Sequence, residues 1–441
     1  VGGVWVRNLF VRGFLRSDQS SASRGFPARV PFFYGWVLVG VGFMGFLASG
    51  AGQSFTVSTF VGPITGEFGL SRTSFFSAYG LGTLTAAAAL MYVGRLIDRI
   101  GPRLMLAGVG FLLGFSAMLF SLVGGLVTLF VGFTALRLFG QGSMMLCSTN
   151  LTSQWFIRRR GLALSLVNLG FALGSAAYPA SIQWLIGQQG WRSAWLWLGG
   201  ATWVLVVPAA LLLVRNRPEA VGLLPDGDPA AAPGEQPGGA PETTETPSWE
   251  LREALRTPQF WIMSFAMAVP SGLITGMVVI HISYFSEMGL SPQAAANIFT
   301  VIAASMVACT LGFGWLLDRY PTRFVVALGL LAMAAAMLVM FFANSPALAA
   351  GYGVAMGAAQ GAMMTMSNYV WPRYFGRKHL GSVQGAAFTI VIFGAAVGPL
   401  PFGRGFDLLG GYREVLLGLV IVPVAAAALV FFTRPPVKSG A

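Results

Sequence analysis

The sequence predicts an all-α membrane protein, with twelve transmembrane helices arranged as two parallel six-helix halves. Three observations predict it. The 441 residues are 55% hydrophobic and 10% charged, whereas a soluble domain carries about 25% charged residues. That much apolar surface cannot be hidden in a water-soluble core. The basic residues gather on one side of the apolar segments. Short motifs in the first half recur in the second at offsets of 219 to 221 residues.

A spanning helix needs about 20 mostly apolar residues. Twelve such segments fall near 33–58, 72–94, 103–123, 126–154, 161–187, 192–214, 259–286, 292–317, 323–343, 347–371, 380–402 and 413–433. Segment 1 opens with "FYGWVLVG". Segment 2 is entered through "EFGLSRTSFFSAYG" and runs into the charged stretch "GRLIDRIGPR". Segment 4 holds "ALRLFGQGSMM", and Arg158-Arg159-Arg160 anchors the start of segment 5. Segment 7 closes with "HISYFSEMGLSP", segment 8 reads "AAANIFTVIAASMVACTLGFGWLL", and segment 11 reads "GAAFTIVIFGAAVGPLPFG".

Connections are short except at 215–257. That stretch is rich in Pro, Gly, Ala and acid, and its middle, 225–247, reads as a disordered linker. Residues 248–256 read as a short amphipathic helix, with Ser248 as cap and Trp249 as interfacial anchor. The expected organisation is a leader at 1–30, a first half at 31–214, a linker at 215–257, a second half at 258–433 and a tail at 434–441. The leader is Arg- and Ser-rich with one acid, Asp18. It reads either as a basic cytoplasmic segment or as a targeting segment.

With the N-terminus placed in the cytoplasm, 22 of the 27 Lys and Arg residues fall on the cytoplasmic side. Arg72, Arg192, Arg404 and Arg413 fall on the other, and Arg137 alone lies in the interior of a span. This is the positive-inside bias. It places both termini in the cytoplasm and the chain in the cytoplasmic (inner) membrane. It also accounts for the net charge of +12 without nucleic acid. Cys147 and Cys309 lie inside spans and read as small apolar side chains.

The repeat is explicit. "GRLIDRIGPR" at 94–103 returns as "GWLLDRYPTR" at 314–323, so Asp98-Arg99 matches Asp318-Arg319. "FGLS" at 68–71 returns as "MGLS" at 288–291. Gln141-Gly142 matches Gln360-Gly361, and Gly190-Trp191-Arg192 matches Gly411-Tyr412-Arg413. The second copy of the charged loop has Pro321 where the first has Gly101.

Twelve helices in two parallel halves, with G-x-x-x-D-R-x-G-x-R between the second and third, resemble the major facilitator superfamily. The stretches quoted from segments 1, 2 and 7, with "RPEAVGLLPDGD" after segment 6, are similar to its monocarboxylate and oxalate/formate groups. The resemblance implies alternating access. It implies that Asp98, Arg99, Arg103, Asp318, Arg319 and Arg323 form gates, whose aspartates contact a helix end across the two halves and hold the outward-facing state. A carboxylate at a helix N-terminus contributes about 0.3–1 kcal/mol, so two such gates bias the equilibrium about tenfold. It implies a cavity lined by helices 1, 4, 7 and 10, which singles out Gln53, Asn150, Gln360 and Asn368.

Arg137 lies about 15 Å into helix 4, where a charge costs about 2.5–3.5 kcal/mol on insertion scales. Its Arg137-x-x-Gly140-x-Gly142 pattern is one residue shorter than the superfamily's helix 4 arginine motif. It reads either as an anion contact or structural-electrostatic element at the cavity, or as an arginine bonded to carbonyls and Gln side chains between helices. His281, with Tyr284 one turn on, reads either as a substrate-carboxylate donor or proton-coupling group, or as a hydrogen-bonded interhelical histidine. Gly385, Gly394, Gly398 and Pro399 on helix 11 match much of the superfamily's G-x8-G-x3-G-P antiporter motif. They read as hinge and packing elements. No cation lies in helix 8, none lies in helix 11 before Arg404, and no acid lies deep within any predicted span.

The chain carries no Walker loop, metal constellation, triad or catalytic carboxylate pair. It is expected to be no enzyme, to use no cofactor or metal and to act as a monomer in the lipid bilayer. The expected function is secondary transport of a small organic anion, a monocarboxylate, with a coupled proton or counter-anion. An efflux carrier for a neutral or amphipathic compound and a non-transporting sensor on the same scaffold are the alternatives.

Overall fold

The computed structural model describes residues 32–157, 159–221, 223–227, 249–376 and 380–436. The leader and most of the linker's middle lie outside them. The described residues form twelve long helices, and all but the tenth fall in segments long and apolar enough to cross a membrane. The first half holds α1 (Gly35–Phe68), α2 (Arg72–Ile100), α3 (Pro102–Phe120), α4 (Leu126–Trp155), α5 (160–189) and α6 (191–213). The second holds α7 (Pro258–Glu287), α8 (Pro292–Arg319), α9 (Thr322–Phe342), α10 (Pro346–Phe375), α11 (Leu380–Val397, continued by Pro399–Leu409) and α12 (Arg413–Phe432). Helices α5 and α6 run on as 54 residues with one non-helical position, Gly190, at φ 81°. A straight helix of that length would measure about 80 Å, far beyond the ~30 Å hydrocarbon core. Gly190 is therefore the turn between two spans.

Local chemistry explains the repeated motifs. In "FGLS", Gly69 ends α1 in the left-handed region at φ 61° and the Leu70 amide bonds back to Thr65 O. Ser71 then caps α2 by accepting from the Ser74 amide. In "MGLS", Gly289 sits at φ 86°, Leu290 bonds back to Phe285 O, and Ser291 caps α8. Each motif is a helix stop and a helix start in four residues. The imperfect charged loop is explained too. Gly101 turns the chain at φ 89°, which Pro cannot adopt, and Pro321 takes φ −56° after an extended Tyr320. The two loops follow different backbone paths.

The glycine pattern of helix 11 is a packing device. Gly394 abuts the Ala268 carbonyl, and Gly398 abuts Gly272, both on α7. Helix α5 repeats this 224 residues earlier, with Gly170 against Phe43 O and Gly174 against Leu47 O on α1. In both copies the first glycine, Gly161 or Gly385, has open space around it, so Gly385 does not share the packing role of the others. The helix assignment breaks at Gly398, before Pro399.

Between the halves, α1 meets α7, α2 meets α11 and α5 meets α8. The linker is partly ordered against the helices, which corrects its edges. Asp226 accepts from the Ile157 and Arg159 amides at 3.0 and 3.1 Å. Trp249 is buried against Phe375 and donates its amide to Phe375 O, so it is no interfacial anchor. The short helix Leu251–Ala254 is capped by Glu250 with Glu253; Ser248 lies outside the described residues.

Replacing Gly398 with Leu is expected to push α7 from α11, because the new Cβ meets backbone rather than a movable side chain. Overpacking of this kind costs about 1–3 kcal/mol. Thermal unfolding in detergent should show a clear fall in Tm, while Gly385→Ala leaves Tm unchanged or slightly higher. Equal Tm values for the two variants would refute the packing assignment.

Candidate functional site

Helix α1 is not continuous. It runs as an α-helix to Ala48, tightens into a 3-10 turn over Ser49–Gly52, and passes through an extended Gln53 (φ −91°, ψ 158°) before Ser54 restarts it. An interrupted helix frees carbonyls that the hydrocarbon cannot satisfy. Gly50 O is met by the Thr56 hydroxyl at 2.6 Å and the Gln53 amide at 3.1 Å. Gly52 O accepts from Arg137 Nη1 at 3.2 Å.

Arg137 reaches this break from the opposite helix. It begins a π-helical stretch, Arg137–Met144, inside α4. The same stretch carries the motif whose spacing is one residue short. Gly140 packs directly on Gly52, so close that a Cβ at Gly140 would lie 2.8 Å from Gly52 Cα. Wide turns of this kind are frequent at functional sites. Arg137 is 2% exposed. Its Nε donates to Thr83 Oγ1 at 3.1 Å, and Nη1 also reaches Ser54 Oγ at 3.5 Å. The guanidinium lies over the Tyr79 ring at 5.0 Å, and Tyr79 Oη hydrogen-bonds Ser54 Oγ at 2.7 Å. Thr83 and Tyr79 belong to α2, so the arginine ties α1, α2 and α4 together.

Two features give this arrangement chemistry. Arg137 makes no ion pair among the described residues, so a whole positive charge is held by neutral acceptors. Its Nη2 has no hydrogen-bond partner among the described residues, leaving N–H groups of a buried cation idle. Beside the break, Phe55 contacts Phe171 and Tyr178 at ring separations of 5.8 and 6.4 Å, an aromatic wall from α5.

The remaining expected cavity residues divide. Gln53 sits in the break, 4% exposed, with Nε2 3.5 Å from Ser49 Oγ and 3.4 Å from Met145 Sδ. Asn150 is half-buried and accepts from Gln154 at 2.8 Å. Gln360 is half-buried on α10, and the Asn368 side chain lies outside the described residues.

His281 and Tyr284 have the contacts of the interhelical reading. His281 is fully buried, with Nε2 2.9 Å from Ala295 O and Nδ1 3.4 Å from Tyr352 Oη. Phe299, Phe285 and Tyr352 surround its ring at 4.3 to 5.5 Å. Tyr284 is also fully buried and donates to Met340 O at 2.7 Å. Both hold second-half helices to each other. Their sequence signal, polar groups in a span, does not distinguish a cavity face from a core face.

Four of the expected gate residues, Arg103, Asp318, Arg319 and Arg323, contact their own halves. Arg103 donates its amide to Asn216 Oδ1 at 3.0 Å and Nη2 to Leu211 O at 2.8 Å. Asp318 accepts from the Tyr369 hydroxyl. Arg319 stacks on Trp315 and Arg323 on Phe324, and Arg99 is exposed. The Asp98 side chain lies outside the described residues. At the opposite end of the bundle the halves are joined. Asp407 accepts from the Arg72 and Thr73 amides at 3.1 and 2.9 Å, and Gln293 donates to Ala180 O at 3.1 Å. Glu67 there binds Trp191 Nε1 at 2.6 Å and Arg192 at 2.5 Å within the first half.

Removing Nε's acceptor with Thr83→Val is expected to leave a charged donor buried and unmet, at a cost of about 1–3 kcal/mol. Thermal unfolding in detergent should register it as a lower Tm, with Thr83→Ser close to the parent. A Thr83→Val protein as stable as the parent would show that the guanidinium does not need this bond.

The Major Facilitator Superfamily profile matches residues 40–287 and 271–441. A gallate transporter of Pseudomonas putida is 27% identical over 90% of this chain and 91% of its own. The oxalate:formate antiporter of Oxalobacter formigenes is 24% identical over 88% of this chain and 90% of its own. Among solved structures, a bacterial homologue of the human lysosomal transporter Spinster, in an inward-facing, unoccupied conformation, aligns with a TM-score of 0.67. It is 14% identical, covering 90% of this chain and 95% of its own.

Proposed function

The chain belongs to the Major Facilitator Superfamily and is a multi-pass membrane transporter rather than an enzyme, and we propose that it moves a small organic anion, a monocarboxylate, by alternating access of its two halves. The observation that carries this reading is the idle Nη2 of Arg137 at the break in α1. Arg137 is the one Lys or Arg within a predicted span's interior. A buried guanidinium without a counter-ion attracts an anion strongly, because both electrostatic and hydrogen-bonding terms grow as water is excluded. Gallate and formate each carry one carboxylate and oxalate carries two, and the relatives named for them cover this chain nearly end to end.

In this reading the carboxylate takes the open N–H groups while Gly52 O and Thr83 hold the guanidinium in place. The apolar remainder of the substrate lies against Phe171 and Tyr178. Basic-residue placement puts the Arg99 and Arg319 end in the cytoplasm, with both termini. In this reading the Asp407 end, where Asp407 and Gln293 join the two halves, faces outward. His281 takes no part in substrate or proton binding.

Counterflow of labelled formate and benzoate in proteoliposomes tests this. Saturable uptake is expected. Arg137→Gln should reduce it about 10- to 100-fold, the equivalent of a lost charged hydrogen bond of about 1.5–3 kcal/mol, while the protein remains monodisperse. His281→Asn should stay within about twofold in rate and lose stability instead. Absent uptake, or a harmless Arg137→Gln, would favour a carrier of neutral or amphipathic compounds.

A further inference from the structure

The two halves touch at the Asp407 end through two pseudo-equivalent helix pairs, α2 with α11 and α5 with α8. Among the described residues charge is concentrated at the first of these, where Arg72 also lies near Glu287 of α7. At the α2–α11 crossing, the Asp407 carboxylate accepts one hydrogen bond on each oxygen, from the Arg72 and Thr73 amides. These are the first two residues of α2, and their N–H groups have no partner inside the helix. Asp407 thus caps a helix of the other half in trans, at the positive end of its dipole. Arg72 adds to the seal, with its guanidinium over Phe406 at 5.3 Å and Nη1 3.0 Å from Thr65 Oγ1. The helices can approach because Gly403 lies against Phe76 and the Arg72 backbone, and Gly80 against Ala396 O.

The repeat shows how unusual this is. Ser71 and Ser291 occupy matching positions, so Thr73 corresponds to Gln293. At the α5–α8 crossing no acid stands in for Asp407, since residues 176–189 contain none. Two neutral bonds replace it: Gln293 Nε2 to Ala180 O at 3.1 Å and Thr300 Oγ1 to Ala176 O at 3.5 Å. At the other end of the bundle, the described gate side chains bond within their own halves.

We propose that Asp407 is the outer latch of the transport cycle, a single trans cap whose release from α2 opens the Asp407 end. The inference rests on the alternating-access reading. Asp407 is exposed, so the latch is meant to be modest and reversible rather than a permanent lock. Helix α2 carries both its ends of the problem: Tyr79 and Thr83 hold Arg137, while Arg72 and Thr73 receive the latch. Occupancy at Arg137 and closure at Asp407 therefore act on one rigid element.

The test uses spin labels at Gly66→Cys and Leu408→Cys, exposed positions on opposite halves at this end, with Cys147 and Cys309 replaced by Ser. Distances are read by pulsed electron resonance in nanodiscs, and counterflow is measured on the same proteins. Asp407→Ala is expected to raise the ratio of long to short distances about three- to tenfold, and Asp407→Glu to restore part of it. Salt at 0.5 M should move the parent the same way. If the Asp407→Ala distances match the parent while both transport, the latch is overturned and the transport reading stands. If the parent shows one distance population and no counterflow with any carboxylate tried, the alternating-access reading fails and takes the latch with it.

Discussion

The structure depends on keeping one guanidinium in a place where a charge is costly. Arg137 is buried within a bundle of apolar helices, with no carboxylate among the described residues to neutralise it. Such a group persists only when every acceptor around it is arranged for it. The chain achieves this by damaging another helix. The break in α1 at Gln53 releases the Gly52 carbonyl, and the π-helical stretch of α4 brings Arg137 to it. Each irregularity would be unfavourable alone, and together they satisfy one another. What is left over is the partnerless Nη2, and that remainder is the basis of the functional reading.

The same constraint organises the helices around it. Gly140 must lie on Gly52 for the arginine to reach, so α1 and α4 touch backbone to backbone. Thr83 and Tyr79 bring in α2, whose other face meets α11 of the second half. On the far side of α1, Gly170 and Gly174 seat α5, and the second half repeats that arrangement with Gly394 and Gly398 on α7. The repeat supplies a symmetric frame. The proposed function draws on the places where the frame is asymmetric: Arg137 in one half only, Asp407 at one crossing only, and Gly101 against Pro321 in the two charged loops.

Much of the frame is legible in the residues. Twelve apolar runs, the paired "GLS" stops and the doubled charged loop follow from hydropathy, capping and spacing, which are local properties. The depth of Arg137 is legible for the same reason. Its surroundings are not, because a broken helix inside a membrane depends on a partner that no window of sequence contains. The small residues of "SGAGQS" are the one trace of the break. His281 shows the other limit. A span's polar residue reads alike whether it faces a cavity or a neighbouring helix, and only its contacts with Ala295, Phe299 and Tyr352 decide. Asp407 has no local signature at all, since its partners lie 334 and 335 residues away.

The central claim is that an anion binds Arg137 through the donor the protein leaves idle. A structure of the protein bound to a carboxylate that it exchanges tests this most directly. The account predicts a carboxylate oxygen within about 3.2 Å of Arg137 Nη2, with Gly52 O and Thr83 Oγ1 still holding the rest of the guanidinium. A carboxylate seated elsewhere in the bundle, with Arg137 Nη2 as empty as before, would contradict it.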